Sequence, residues 1–390
     1  MKNKSLFHIL LVVLISSLAF DMAHPVTPML INKLNLPAYM FGIFFATMAI
    51  GNFIGSPLFG NLSDKYGRVK FLIIGAIGYG LGQLGFGFNS NPIIIVLFRF
   101  FGGFFVVSFL TVSLAYVTDL SNDENRIKYM TYYAATTTLG SAIGSLLGGV
   151  IGNNNYKITF FTQFLICMVV GLLAFLLLSE TVNPNTIDEV KAKKINVDYK
   201  QYLNKTLIIM LFVVLAFYFA STSYSSSINY YIESVLNLSP SFIGGFISVT
   251  GIIGFVVNLF VTPILAKHFK ELNVFKVITI ALSISLALMV AAKNTYLFLG
   301  FAIIFTAFTN IHIPLQQSII TKLSNGNYGS LIGILNSFKA VGQVSGSLSA
   351  GFIFSLNNKF PFLLGSLIVL IGFLFLLTLK PIDKNHSEEF

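Results

Sequence analysis

Residues 60–70 read GNLSDKYGRVK. Asp64, Lys65, Arg68 and Lys70 stand there between two apolar runs, 38–62 and 71–88, each about long enough to cross a hydrocarbon core as a helix. The whole chain follows that pattern. Of 390 residues, 55% are hydrophobic and only 10% charged, against about 25% charged in an average soluble domain. Glycine, with 32 residues, is also more frequent in membrane helices than in soluble ones. The composition is that of an integral membrane protein whose principal partner is the lipid bilayer.

Twelve such runs can be marked: 6–30, 38–62, 71–88, 93–118, 130–152, 159–179, 206–231, 242–266, 274–292, 297–320, 331–356 and 361–379. The predicted fold class is therefore an all-α membrane protein of twelve spans. Short polar breaks separate the runs, with one exception. Residues 180–205, ETVNPNTIDEVKAKKINVDYKQYLNK, form the only long polar segment and divide the chain into two six-span halves, 1–179 and 206–380, before a tail at 381–390. The first run follows Met-Lys-Asn-Lys but is too long for a signal peptide and lacks a small-residue cleavage site, so it is read as a retained span.

The net charge of +10 could suggest a nucleic-acid partner, but the distribution of the basic residues argues for topology instead. With the N-terminus placed inside, 18 of the 24 Lys and Arg fall in cytoplasmic segments and 4 in outer loops; Arg99 and Lys339 fall within spans. That asymmetry is the positive-inside signal. It puts both termini and the linker in the cytoplasm of a cell whose plasma membrane holds the protein, and it leaves no nucleic-acid surface.

The halves also echo each other. LNLPAYMFG (34–42) leads into the second span and LNLSPSFIG (236–244) into the eighth, an offset of 202 residues. Duplicated halves with a site at the repeat interface are the pattern of secondary transporters.

In this setting GNLSDKYGRVK resembles the G-x-L-x-D-x-x-G-R-x-x signature of the major facilitator superfamily, with Gly60, Leu62, Asp64, Gly67 and Arg68 in place. The resemblance implies a two-bundle, pseudo-symmetric fold over the whole chain. It also implies a gating network in which Asp64 and Arg68 are joined by an acid at the end of the fourth span, here Asp119. The equivalent residues of the second half, TPILAKHFKEL (262–272), carry Ala266 in place of the acid, so the latch should be asymmetric. Simple positive-inside anchoring by Lys65, Arg68 and Lys70 is the competing account.

Span five, TTTLGSAIGSLLGGVIG, places Gly140, Gly144 and Gly148 every four residues, with Gly149 beside them. Such a flat seam allows close helix packing, and packing alone would account for it. It also resembles the G-x-x-x-G-P-x-x-G-G signature of the superfamily's proton-exchanging drug exporters, with Ser145 where that signature has Pro. LFRFFGGFF in span four resembles an R-x-x-x-G element through Arg99 and Gly103. The branch so implied is efflux of small amphipathic compounds against protons.

Ionisable residues within a membrane are functional candidates by default. Asp21 stands about 22 Å along its span from the inside and Arg99 about 9 Å from the outside, so the two share a depth. They are expected to couple, Asp21 carrying the proton and Arg99, always charged, assisting it; a static ion pair is the alternative. His24 and Pro28 share the Asp21 face, and Pro25 and Pro28 should kink the span. Lys339 has no acid within any span of its half and must snorkel, lose its proton, or meet Asp21 or an anionic substrate. His312, Asn229 and Gln316 are further cavity candidates, though a core role fits His312 equally. Two cations against one acid lean away from a bare cation as sole substrate.

No metal-spaced His or Cys cluster, G-x-S-x-G or P-loop is found, and the single Cys167 cannot form an internal disulfide. The chain is expected to be no enzyme, to need no cofactor or metal, and to act as a monomer on small molecules, driven by a proton gradient. Proton-coupled import or facilitation of a sugar, metabolite or peptide is the alternative.

Overall fold

The computed structural model describes residues 2–122, 125–182, 205–322 and 328–379, and these are almost wholly helical. The tail 381–390 and most of the linker 180–205 lie outside the described residues. Lipid dictates the architecture, because a helix satisfies its backbone groups internally where no water can. The first half comprises α1 (Lys2–Asp21), α2 (Thr27–Lys33), α3 (Met40–Tyr66), α4 (Arg68–Phe88), α5 (Pro92–Leu120), α6 (Arg126–Ile151) and α7 (Tyr156–Leu177). The second comprises α8 (Lys205–Ser234), α9 (Pro240–Val256), α10 (Thr262–His268), α11 (Glu271–Ala291), α12 (Thr295–Lys322), α13 (Tyr328–Phe354) and α14 (Phe360–Leu377). Together these supply the twelve expected spans, and among the described residues eleven are long and apolar enough to cross a membrane. The remaining one, α13, is 27 residues long but carries Asn336, Ser337, Lys339 and Gln343 in its middle.

Three boundaries differ from the sequence expectation. The expected first span breaks: α1 ends at Asp21, a 3₁₀ turn covers His24–Val26, and α2 follows. Pro25 has no N–H for the carbonyl of Asp21, four residues back, and so ends the ladder there. The loop expected at SDKYGRVK is a single residue. α3 runs helically through Tyr66 and α4 begins at Arg68, because Gly67 turns the chain at φ 100°, a conformation that disfavours side chains. Finally, a π turn at Val257–Val261 joins α9 to α10 ahead of Pro263, whose missing N–H such a bulge accommodates.

The duplication is visible in the backbone. Asn35 and Asn237, equivalent residues of the two LNL motifs, are the only non-glycine residues with positive φ among those described, at 51° and 55°. The glycine seams repeat as well. A Cβ on Gly140, Gly144 or Gly148 would fall on the carbonyl oxygens of Leu14, Leu18 and Met22, so α6 lies backbone to backbone on the first span. With the same 202-residue offset, Gly342 and Gly346 of α13 meet the carbonyls of Leu215 and Phe219 on α8.

The chain groups into two compact units, Met1–Ile195 with Ile228–Ile252, and Asn196–Ser227 with Ile253–Phe390. The end of α8 and most of α9 thus pack with the first half. Gly149 abuts Pro240 and Gly244. Ser248 donates to the carbonyl of Ala142 at 2.5 Å, and Asn32 donates to Glu233 and Ser234 at 3.2 and 3.1 Å. The core of this unit gathers Phe20, Tyr79, Phe109, Tyr116 and Cys167.

Candidate functional site

The broken first span sets up the site. Carbonyls 19 to 21 lose regular helical donors at the break, and side chains from other helices replace them. Gln163 of α7 donates to Ala19 O at 2.7 Å. Tyr79 of α4 donates to Phe20 O at 2.9 Å. Ser145 of α6, the residue that departs from the exporter signature, lies 3.5 Å from Asp21 O. A serine hydroxyl therefore stands where a proline would have offered no donor.

The Asp21 side chain points away from that sealed face. It accepts from Ser141 Oγ and lies 3.3 Å from His24 Nε2. It lines a cavity of about 230 Å³ with Thr137, Thr138, Ser141 and Ser145 of α6 and Ile247 and Gly251 of α9. One carboxylate among hydroxyls, at the negative end of a 20-residue helix, makes a place for positive charge or a proton.

Arg99 is not its partner here. The guanidinium is buried on α5, donates to Gln83 Oε1 at 3.4 Å and sits 4.9 Å from the Phe86 ring. Its Nε has no hydrogen-bond partner. Gln83 in turn donates to the Tyr79 hydroxyl. Arg99 thus reaches the broken segment through Gln83 and Tyr79, ending on the carbonyl of Phe20 rather than on the Asp21 carboxylate. Equal depth along two helices was legible; the direction each side chain takes around its helix was not.

The charged turn brings Asp64, Arg68 and Asp119 together and adds further members. Arg68 pairs with Asp64 and, through Nε, with Asp119 Oδ2 at 3.0 Å, and donates to Ser63 Oγ at 2.8 Å. Thr181 donates to the same Asp119 oxygen at 2.9 Å. Glu180, the first residue of the expected linker, accepts from the backbone N–H of Arg68 and Val69 at 2.7 and 3.2 Å. It thereby caps α4 at the positive end of its dipole. A Cβ on Gly67 would strike that carboxylate, and Gly60, beside Thr111, accepts from Ser63 Oγ through its carbonyl at 2.9 Å. The Asp64 side chain is 58% exposed and the Asp119 side chain 28%, so the Asp119 side of the network is the better shielded from solvent. Glu180 and Ser63 gave no spacing signal in the sequence, because their roles depend on where Gly67 turns the chain.

The remaining candidates do not converge on the Asp21 cavity lining. His312 is buried between Phe217 and Phe275, ring centroids 4.0 and 4.5 Å away, with neither nitrogen partnered. Gln316 Oε1 and Asn229 Oδ1 are likewise buried without partners. Lys339 lies over the Tyr218 ring at 4.9 Å. Among the described residues no group of three or more His, Cys, Asp or Glu could hold a metal ion.

Comparison with known proteins bears on the family and the fold. The profile described as "Major Facilitator Superfamily" matches residues 9–324. "Multidrug resistance protein 2" of Bacillus subtilis is 24% identical over 378 residues, covering 95% of this chain and 94% of its own. "Quinolone resistance protein NorA" of Staphylococcus aureus is 24% identical over 391 residues, covering 99% and 98%. Among solved structures, a D-xylose–proton symporter aligns with TM-score 0.76 at 18% identity, covering 97% of this chain and 98% of that one.

Proposed function

The chain belongs to the major facilitator superfamily, a family of membrane transporters, and on that premise we propose that it expels small amphipathic compounds in exchange for protons. The observation that carries this reading is the Asp21 carboxylate, set at a helix break and lining a cavity of about 230 Å³ with four hydroxyl side chains. A carboxylate facing such a cavity can bind a proton or a cationic group, one excluding the other, which is the elementary step of antiport. Because Arg99 stays charged, it serves here as a fixed donor to Gln83 and not as the carrier. The multidrug relatives support export, and the hydroxyl-lined cavity beside apolar Ile247 suits amphipathic cargo.

In this scheme the halves 1–179 and 206–380 are the two bodies of alternating access, joined by 180–205. The Arg68 network steadies one access state, and the Lys and Arg distribution puts both termini in the cytoplasm of a bacterial cell, with the protein in its plasma membrane. The deciding experiment is substrate-induced proton movement in proteoliposomes, with cationic, neutral and anionic compounds, comparing wild type and Asp21→Asn. Proton efflux coupled to substrate entry, lost in the variant while substrate exchange persists, is expected. Transport without a proton signal, or with one unchanged in Asp21→Asn, would overturn the scheme and leave a facilitator.

A further inference from the structure

The two repeats carry equivalent half-sites of opposite sign. Under the 202-residue offset that relates Gly140 and Gly144 to Gly342 and Gly346, the cavity-lining Thr137 and Ser141 correspond to Lys339 and Gln343. The facing helices are related by 201, since Leu14 and Leu18 meet the first pair of glycines and Leu215 and Phe219 the second. Asp21 therefore corresponds to Thr222. Where the first repeat presents a carboxylate among hydroxyls, the second carries an ammonium, a carboxamide and a neutral hydroxyl at the corresponding positions.

The geometry around Lys339 fits that role. The ammonium lies 4.9 Å from the centroid of the Tyr218 ring, and among the described residues it has no acidic partner. It is partly exposed, so it is not sealed in the core as His312 is. Asn336 and Gln343 fall at i−3 and i+4, one turn to either side on the same face. The Gly342 and Gly346 contacts hold this face of α13 against α8 and so keep Lys339 at Tyr218. An uncompensated cation in a membrane helix is costly and marks a substrate pathway. Its complement is an anion: the ammonium supplies charge, the flanking carboxamides supply N–H donors, and the Tyr218 ring supplies an apolar face.

We propose that Lys339, Asn336, Gln343 and Tyr218 form a subsite that binds the carboxylate of an apolar, ring-bearing acid. The subsite rests on membership of a transporter family and not on the direction or coupling of transport. Failure of the Asp21 experiment therefore leaves it standing.

The test uses the purified full-length protein in lipid-free detergent and three fluorescent probes of matched shape: naphthoate, naphthamide and naphthylmethylammonium. Wild type should bind naphthoate about thirtyfold more tightly than naphthamide, the ratio expected when a desolvated charge pair gains or loses one partner. Lys339→Met should abolish that ratio while leaving naphthamide binding within about twofold, and Lys339→Arg should keep most of it. Equal binding of the acid and the amide by wild type, or a preference that survives Lys339→Met, would overturn the proposal. Should Lys339→Met fail to fold, Gln343→Leu decides: it should weaken naphthoate by about fivefold, and no change overturns the proposal. Displacement of naphthoate by added phosphatidylglycerol would reassign the subsite to a lipid headgroup and overturn it equally.

Discussion

Two adjacent glycines should respond to the same substitution with opposite signs. Gly102 and Gly103 lie side by side in α5. A Cβ on Gly102 would meet only the ring carbons of Tyr79 at 3.9 Å, ordinary contact. A Cβ on Gly103 would fall on the carbonyl oxygen of Met48 and lie 2.8 Å from its Cα, atoms of the α3 backbone that no rotamer change can move aside. Gly102→Ala should therefore collect the helix-propensity gain, up to about 1 kcal/mol. Gly103→Ala forces two packed helices apart, an overpacking cost of about 1–3 kcal/mol. Gly103→Ala collects the same propensity gain, so that term cancels and the gap between the variants is the overpacking cost, about 1–3 kcal/mol. With an unfolding entropy of about 2 cal/mol/K per residue, a chain this long shifts by roughly 1 °C per kcal/mol, so the apparent midpoints should differ by about 1–3 °C. The chain supplies its own probe: Cys167 is its only cysteine and is wholly buried, so a thiol-reactive fluorogenic maleimide lights up on unfolding. Equal shifts, or a less stable Gly102→Ala, would refute the packing account of α3 against α5.

Glu180→Ala should strip the Arg68 and Val69 amides of their acceptor and cost about 0.5–2 kcal/mol, the range of a lost helix cap. Hydrogen exchange at those two amides should speed up about tenfold while exchange in the middle of α4 holds, and an unchanged rate would exclude the cap. Arg68→Lys keeps the charge but loses the planar fork that serves Asp64, Asp119 and Ser63 together, so transport should fall far more than folding. Transport at the wild-type rate would reduce Arg68 to a topology anchor. Ser145→Pro restores the residue of the exporter signature but removes the hydroxyl 3.5 Å from Asp21 O. It should lower the Cys167-detected midpoint, and a rise would show that the carbonyl needs no donor.

Much of this architecture was legible in the residues. Apolar run length gave the spans, and four-residue glycine spacing gave the α6 seam. The repeated LNL motif marked the duplication that Asn35 and Asn237 now display in their backbone angles. Other features escaped because they depend on rotation about a helix axis or on one backbone turn. The depths of Asp21 and Arg99 follow from residue counts, whereas their partners Ser141 and Gln83 follow from azimuth, which a lone apolar span does not reveal when nearly every face is hydrophobic. Pro25 and Pro28 announced a distortion in the first span. That the freed carbonyls would be met by Gln163, Tyr79 and Ser145 required three other helices in place.

The carboxylate of Glu180 on the start of α4 also fixes where this polypeptide can be divided. A pair of co-expressed fragments severed after Val182 leaves Glu180 and Thr181 attached to the first fragment, with their bonds to Arg68 and Asp119 intact. Severing before Glu180 moves both onto the second fragment, and their bonds must then form between separate chains. Fragment complementation should accordingly succeed with the later cut and weaken with the earlier one, although the two differ by only a few residues of apparently featureless polar sequence.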